Sequence, residues 1–345
     1  MGDVAMTVPV VAAVRRAYPE MRITMVTRPF FRPFFADVPN VEFADVDLKG
    51  RHKGVAGIAR LADELAAEGV DAVADLHGVL RSHLLRGFLA VKGCKTARIC
   101  KGRVAKRRLT KVGYTKSAQL KTSIERYAEV MGRLGLTLDN VTSWTPSTRA
   151  VPAPIATHAP KGGAWIGVSP FAMHRGKAYP IELMERVVEI LAPQVERIFV
   201  FGGGAEEKRL ALRMESIAGN VHSVVGVMSL AEEIDLMANL DVMVAMDSSA
   251  MHMSSLVATK VVSVWGATHP YAGFYGFGQD PDGAVQAEME CRPCSVFGNK
   301  PCKWGDYRCL TAISPESIAL KTIETAKRAA ECEKKRGLNI DNFAN

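Results

Sequence analysis

Short apolar segments alternate with helix-like segments along both halves of the chain, and this alternation restricts the possible folds more than any other feature. Each apolar segment is five or six residues long, which is the usual length of a strand. Strands that alternate with helices predict a parallel sheet, because a parallel neighbour is reached only through a crossover connection. The predicted strands are 22–26, 41–45, 71–76 and 96–100 in the first half and 164–169, 197–201, 241–246 and 260–264 in the second.

Helix signals lie between these strands. Val55, Ile58, Leu61 and Leu65 fall on one helical face, and a second helix is predicted over 80–91. Further along the chain, a serine followed three residues later by a glutamate forms a capping box, in which the two side chains bond each other's backbone. That pair is Ser229 and Glu232.

A proline-rich segment separates the two halves. Residues 137–162 contain four prolines and no clean period, which is typical of an interdomain linker with room for one edge strand. A chain of 345 residues is also long for one ordinary domain. We expect a first Rossmann-like domain over 1–150, a second over 160–313, and a C-terminal helix over 314–336 that ends at Gly337.

Composition points to the cytoplasm. No apolar run approaches the ~18–20 residues that span a bilayer, and no basic segment followed by an apolar core marks the N-terminus. Seven cysteines are an odd number in a long chain, which favours a reducing compartment. We therefore expect a cytoplasmic protein.

The formal charge of +8 is concentrated in one segment, 92–116, which we call the basic run. It holds ten Lys or Arg and no Asp or Glu. Such a patch attracts phosphate groups on lipids, sugars or nucleic acids. Because it has no RNA-binding signature and no interleaved aromatic residues, we do not expect nucleic acid to be the partner. The alternative is a solvated, mobile loop.

Three strand-to-helix junctions of the second half are candidate binding loops, because ligands of open α/β sheets bind at the carboxyl ends of the strands. Free backbone N–H groups at a helix start favour a phosphate, although an aspartate or serine there can also simply cap the helix. His252 is also compatible with a satisfied interior histidine, although the dense cluster of polar groups favours binding. The candidates are Asp247, Ser248, Ser249 and His252 after one strand, Lys177 in the basic loop 169–180 after another, and Gly202 and Gly203 after a third.

Four cysteines near the C-terminus form a C-x₂-C-x₇-C-x₆-C pattern. Such a set can bind structural zinc, or it can consist of reduced loop cysteines or a reversible disulfide. A catalytic metal is not expected, because the cluster lacks histidine and carboxylate ligands. The cysteines are Cys291, Cys294, Cys302 and Cys309.

Short motifs are spread in order along nearly the whole chain. They are Gly2-Asp3-Val4 with Thr7-Val8-Pro9, Asp75-Leu76-His77-Gly78 with Arg81-Ser82, Lys177-Ala178-Tyr179-Pro180, Asp247-Ser248-Ser249 with His252, and Trp265-Gly266-Ala267-Thr268-His269-Pro270. Taken together, these motifs resemble glycosyltransferase family 9, the ADP-heptose:lipopolysaccharide heptosyltransferases. The resemblance implies a GT-B fold, in which two Rossmann-like domains face each other across a cleft. It also implies inverting transfer from a nucleotide-diphosphate sugar without a metal or other cofactor.

The resemblance also implies roles for single residues. Asp3 matches the family's proposed general base, Arg81 a basic position near the acceptor, and Lys177 the lysine that holds the donor diphosphate. Asp247, Ser248 and Ser249 match the donor-binding turn. The implied partners are ADP-heptose and a lipid-linked glycan at the inner-membrane surface.

Two departures from the family pattern concern the donor sugar. Ala172 and Met173 are apolar where the heptosyltransferases carry hydroxyls, and Ser249 replaces the usual glycine. Other interpretations stay open beside transfer: a nucleotide-sugar 2-epimerase, or a catalytically silent binding protein on the same fold. A nicotinamide-dependent dehydrogenase is disfavoured, because no G-x-G-x-x-G opens a helix after a strand.

A third departure concerns the N-terminus. In the family a strand precedes the Gly-Asp turn, whereas here the turn begins at Met1. We expect the DNA upstream of the Met1 codon to encode, in frame, one apolar strand of ~5–8 residues. Sequencing the locus checks this, and an in-frame stop immediately before Met1 would contradict it.

Overall fold

The chain forms two compact units. The computed structural model describes the backbone of residues 1–341 and the side chains of residues 1–331. The first unit contains residues 1–103 and 121–146, and the second contains residues 104–120 and the chain from Ser147 onward. Much of the basic run thus belongs to the second unit, although it lies within the range expected for the first domain.

The first unit contains two parallel two-stranded sheets, β1–β2 and β3–β4. Residue Ile23 pairs with Val41 in one sheet and Ala72 pairs with Lys95 in the other. The strands are β1 (Ile23–Thr27), β2 (Val41–Asp45), β3 (Ala72–Asp75) and β4 (Lys95–Arg98), and the helices are α1 (Gly2–Ala5), α2 (Val8–Ala17), α3 (Gly54–Ala67), α4 (Leu80–Val91) and α6 (Ser123–Arg133). Helix α5 (Arg103–Val112) continues into the second unit.

Helix α3 buries most of the predicted apolar face. Ile58, Leu61 and Leu65 are buried, and the last two form a core cluster with Leu89 of α4. Val55 is 59% exposed, so its assignment to the buried face is wrong. It lies in the first turn, at the edge of the helix's apolar stripe.

The second unit is built on one six-stranded parallel sheet, with the order β10-β9-β8-β5-β6-β7. Its strands are β5 (Trp165–Ser169), β6 (Arg197–Val200), β7 (Val221–Ser223), β8 (Val242–Met246), β9 (Lys260–Trp265) and β10 (Ala284–Gln286). Its helices are α7 (Ile181–Leu191), α8 (Ala205–Glu215), α9 (Leu230–Ala238), α10 (Ser249–Leu256), α11 (Arg308–Thr311) and α12 (Pro315–Asp341).

Every residue of the central strands β5 and β8 is buried. A parallel sheet covered on both faces reads as a continuous apolar run rather than an alternating one, which is why these strands were visible in the sequence. Strand β5 lies between β6 and β8, so the chain moves outward in one direction from β5 to β7 and returns to the other side with β8. The order of the strands therefore reverses at β5.

All eight predicted strands are confirmed, with bounds that differ by no more than two residues. The missed strands β7 and β10 have three residues each and lie at the two edges of the sheet. The expected edge strand within 137–162 does not form; this segment holds a short 3₁₀ helix instead.

Helix α12 passes Gly337 and runs to Asp341, so the predicted end of the helix is wrong. A glycine lowers helix stability by only about 1 kcal/mol and does not by itself end a helix.

No helix in the part of the chain that the structure describes combines the length and the apolar character that a membrane crossing requires.

The predicted capping box is confirmed at the start of α9. Ser229 Oγ accepts a hydrogen bond from the Glu232 backbone N–H, and the Glu232 carboxylate accepts one from the Ser229 backbone N–H.

We expect Ser229→Ala to destabilise the protein by about 1 kcal/mol, because an N–H at the helix start loses its acceptor. Thermal unfolding should show a midpoint roughly 2–4 °C lower. Ser216→Ala is the control, because the Ser216 hydroxyl follows the end of α8 and donates to the Arg213 carbonyl. An equal fall in both variants would contradict the capping role.

Candidate functional site

The loops that follow β5, β6, β8 and β9 emerge at one edge of the six-stranded sheet, the carboxyl edge, because the strands are parallel. The loops after β5 and β8 flank the place where the strand order reverses. Ligands of open α/β sheets bind at this switch point.

The buried carboxylate of Asp247 binds two other side chains of the site. Lys177 Nζ lies 2.8 Å from Asp247 Oδ2, and Thr268 Oγ1 donates a hydrogen bond of 2.9 Å to the same oxygen. The Asp247 side chain is almost fully buried and that of Lys177 is largely buried. The three residues follow β8, β5 and β9, so one carboxylate connects the loops on both sides of the switch point.

The start of α10 is free of side-chain capping. Ser248 is the N-cap residue, yet its hydroxyl makes no capping bond, and the Asp247 carboxylate is directed to Lys177 and Thr268. Ser248 Oγ is buried and has no hydrogen-bond partner among the described residues. Ser249 opens α10, and His252 is buried on it. The first turn of a helix offers backbone N–H groups and a positive dipole end, so an anion would find donors here.

The glycines after β6 serve backbone packing. A Cβ at Gly202 would lie 2.7 Å from the Phe171 ring, so this position requires glycine. The Gly203 backbone N–H donates a 2.6 Å hydrogen bond to the Glu207 carboxylate. The structure therefore places both residues at the site's edge of the sheet and gives them local contacts.

A second loop supports the backbone around Lys177. The Gly176 N–H donates to the Gly298 carbonyl at 3.2 Å, and the Ala267 N–H donates to the Gly176 carbonyl at 2.8 Å. Gly298 has φ +74°, and a Cβ there would lie 2.6 Å from Lys177 Cγ. Only glycine accommodates both the backbone angle and this close approach. Nothing in the sequence singled out Gly298, because its importance comes from a contact with a residue far along the chain.

Arg292 is a buried cation bonded to neutral oxygens. Its guanidinium donates to the carbonyls of Gly266, Thr268 and Ala287 and to the Gln286 side chain. Burial lowers the pKa of Arg292 from its usual value. The guanidinium thus ties the loop after β9 to β10, and through the loop after β9 it holds Thr268. Sequence reasoning missed this residue, which lies between two cysteines in a loop without a periodic pattern.

His269 is held as a neutral imidazole. Burial, with a smaller contribution from the Arg292 charge, lowers the pKa of His269 to about 4. Its Nδ1 accepts from the Tyr271 N–H at 3.1 Å, so the ring proton is assigned to Nε2. Nε2 is buried without a hydrogen-bond partner among the described residues. The ring stacks on Tyr114 at 4.5 Å between centroids.

The four clustered cysteines are free thiols. Burial raises the pKa of Cys309 to about 11. Burial by itself would raise the pKa of Cys302. Hydrogen bonds from backbone N–H groups of the following turn outweigh this effect, so the pKa of Cys302 is lowered from its usual value. Within residues 1–331, no three His, Cys, Asp or Glu side chains come together in a group suited to a metal ion.

In the first unit, charged residues gather around His77. Partial burial lowers the pKa of His77; the Asp3 carboxylate raises it and the Lys101 ammonium lowers it. Smaller effects come from Asp75, which raises it, and Arg81, which lowers it. Asp3 is exposed in α1, and Arg81 is exposed at the start of α4. The structure thus brings the two predicted residues into one electrostatic neighbourhood, with His77 and Lys101 added to it.

Asp75 shapes the turn that carries His77. Its buried carboxylate accepts from the backbone N–H groups of His77, at 3.2 Å, and Gly78, at 2.8 Å. Gly78 has φ +58°, which favours glycine. Asp75 Oδ1 is therefore occupied within the turn, whereas Oδ2 lies 3.3 Å from His83 Nδ1 of α4.

The family model of glycosyltransferase family 9 (heptosyltransferase) matches residues 58–304, which is more than half of the chain. No curated protein sequence matches this chain.

Solved structures share the fold at low sequence identity. A family 9 glycosyltransferase from Veillonella parvula is 20% identical, with 94% of each chain covered and a TM-score of 0.72. The E. coli ADP-heptose lps heptosyltransferase II is 15% identical, with 94% of this chain and 95% of that chain covered and a TM-score of 0.66. The E. coli heptosyltransferase WaaC with ADP is 18% identical, with 94% and 97% covered and a TM-score of 0.64.

We expect Arg292→Met to destabilise the protein by about 3 kcal/mol or more, because several buried carbonyls lose their donor. The midpoint of thermal unfolding should fall by roughly 6–12 °C. Arg308→Met is the matched control, since Arg308 opens α11 after this loop and has an exposed side chain paired to Asp306. The control should change stability by no more than about 0.5 kcal/mol. Similar shifts in both variants would show that the Arg292 hydrogen bonds do not hold the loops.

Proposed function

Because the chain belongs to glycosyltransferase family 9, we propose that this glycosyltransferase moves a heptose-like sugar from an ADP-sugar to a lipid-linked glycan of the lipopolysaccharide-core type. The observation that carries the proposal is the Lys177–Asp247 pair at the switch point, beside the uncapped start of α10. The E. coli heptosyltransferase WaaC has been solved with ADP and with ADP-2-deoxy-2-fluoro heptose, which supports ADP as the nucleotide.

We propose that the second unit binds the donor diphosphate. Lys177 contributes a positive charge, and the start of α10 contributes backbone N–H groups. The buried Ser248 hydroxyl, which has no hydrogen-bond partner among the described residues, can donate to a phosphate oxygen. These groups neutralise the leaving diphosphate, so the proposed reaction is metal-independent.

Asp3 is the proposed general base. In the reaction, the acceptor hydroxyl oxygen forms a bond to the anomeric carbon of the sugar. The bond from that carbon to the diphosphate oxygen breaks, and the electron pair leaves with ADP. The Asp3 carboxylate takes the hydroxyl proton. Because the hydroxyl attacks from the face opposite the leaving group, the anomeric configuration is inverted.

We assign acceptor binding to the cations near Asp3. Arg81 and Lys101 lie within electrostatic reach of His77, as Asp3 does. Two cations suit an acceptor that carries phosphates or acidic sugars. Because the proposed acceptor is lipid-linked, we also propose that the enzyme works in the cytoplasm at the inner-membrane surface.

We expect Asp3→Asn to lower turnover by about 10²–10⁴-fold, the usual contribution of a general base, and to leave ADP affinity nearly unchanged. Lys177→Ala should weaken both turnover and ADP binding, because Lys177 contacts the diphosphate before and during bond breaking. Steady-state kinetics with calorimetric titration of ADP separate the two effects.

Two control variants each remove one charge from an exposed position outside the proposed site. Asp63→Asn removes an exposed carboxylate of the first unit, and Lys327→Ala removes an exposed ammonium of α12. Both should keep turnover and ADP affinity. If Asp3→Asn lost ADP affinity and kept turnover, Asp3 would be structural and the base would lie elsewhere.

A further inference from the structure

Helix α5 presents a strongly basic face on the second unit. Residues 104–120 carry five Lys or Arg and no Asp or Glu. Arg107, Arg108 and Lys111 are exposed, and no carboxylate within residues 1–331 forms an ion pair with them. These three residues, which we call the basic face, are therefore available to an external anion. The alternative interpretation of the basic run as a mobile loop is wrong, because the run forms β4, α5 and a 3₁₀ turn.

The chain that follows α5 is anchored to the site loops of the second unit. The Tyr114 ring stacks on His269, and its backbone N–H donates to the Arg292 carbonyl at 3.4 Å. The Leu120 N–H donates to the Tyr271 carbonyl at 3.0 Å. The basic face therefore has a fixed position on the proposed donor-binding unit.

An apolar side chain is exposed within the basic face. Val104 of α5 is 84% exposed, and it lies three, four and seven residues before Arg107, Arg108 and Lys111, so it shares their side of the helix. Lys106 is not part of the face, because it is buried with its Nζ 3.8 Å from the centre of the Phe274 ring.

We propose that α5 forms a docking surface for an anionic lipid bilayer through the basic face and Val104. Lipid headgroups supply the negative charge that the basic face lacks, and the headgroup–acyl boundary accommodates Val104. An exposed aliphatic group among cations is typical of interfacial helices, whereas nucleic acid would provide no apolar layer for Val104. The inference rests on the proposed function for its setting, because a lipid-linked acceptor lies at a membrane.

The test is flotation of the purified protein with vesicles, without donor or acceptor. Vesicles of phosphatidylglycerol in phosphatidylcholine should bind the protein, and pure phosphatidylcholine should bind it weakly. Arg107→Gln with Arg108→Gln should lower the affinity by about 10–30-fold at low salt, and the difference should shrink as salt rises. Val104→Ser should weaken binding with little dependence on salt, because an apolar contact is not screened.

The matched control is Lys327→Gln with Arg328→Gln, which removes the same charge from two exposed neighbours on α12. It should keep most of the vesicle affinity. Equal losses in the two double variants would overturn the proposed surface, as would equal binding to both kinds of vesicle. Tighter binding to duplex DNA than to anionic vesicles would also overturn it, in favour of a nucleic-acid partner.

Transfer to a short, lipid-free acceptor separates this surface from the proposed reaction. The Arg107/Arg108 double variant should keep that activity. Intact transfer without vesicle binding in the wild type would overturn the surface alone. Vesicle binding without transfer would overturn the proposed function and leave an anionic-lipid surface in place.

Discussion

The site of the second unit depends on the buried carboxylate of Asp247. A buried charge without partners is strongly unfavourable, so the Asp247 side chain requires the Lys177 ammonium and the Thr268 hydroxyl that bond its Oδ2. Satisfying that one oxygen fixes the ends of loops that follow three strands. The geometry of the switch point is therefore a consequence of desolvating one carboxylate.

The sequence was informative wherever the signal is local. Buried parallel strands such as β5 and β8 are continuous apolar runs, and a capping box needs only Ser229 and Glu232, three residues apart. Motifs at strand ends were found for the same reason, since a polar cluster after an apolar run is visible in a short window. The edge strands β7 and β10 escaped because three residues are too few to show a period.

The supporting contacts of the site could not be predicted, because they join residues far apart in the chain. Gly298 matters through its approach to Lys177, and Arg292 through carbonyls of the loop after β9 and of β10. The position of residues 104–120 on the second unit is of the same kind. Sequence reasoning assigned them to the first half because they precede the proline-rich linker. The ring of Tyr114, which stacks on His269, carried no local signal of that contact.

The pairing of Lys177 also bears on how such a site would favour a transition state over a bound donor. Lys177 and Asp247 together carry little net charge, so the pair would add only modest affinity for a ground-state diphosphate. In the proposed reaction, negative charge would grow on the diphosphate as the bond to the leaving group breaks, and its attraction to Lys177 would grow with it. Asp247 holds the ammonium in place, so little reorganisation is needed at that moment. The neutral state of His269 fits the same logic, because an Nε2–H donor responds to developing charge without adding a full charge to the unliganded site. In the proposed reaction, a preorganised and nearly neutral set of donors of this kind would stabilise the transition state more than the bound donor.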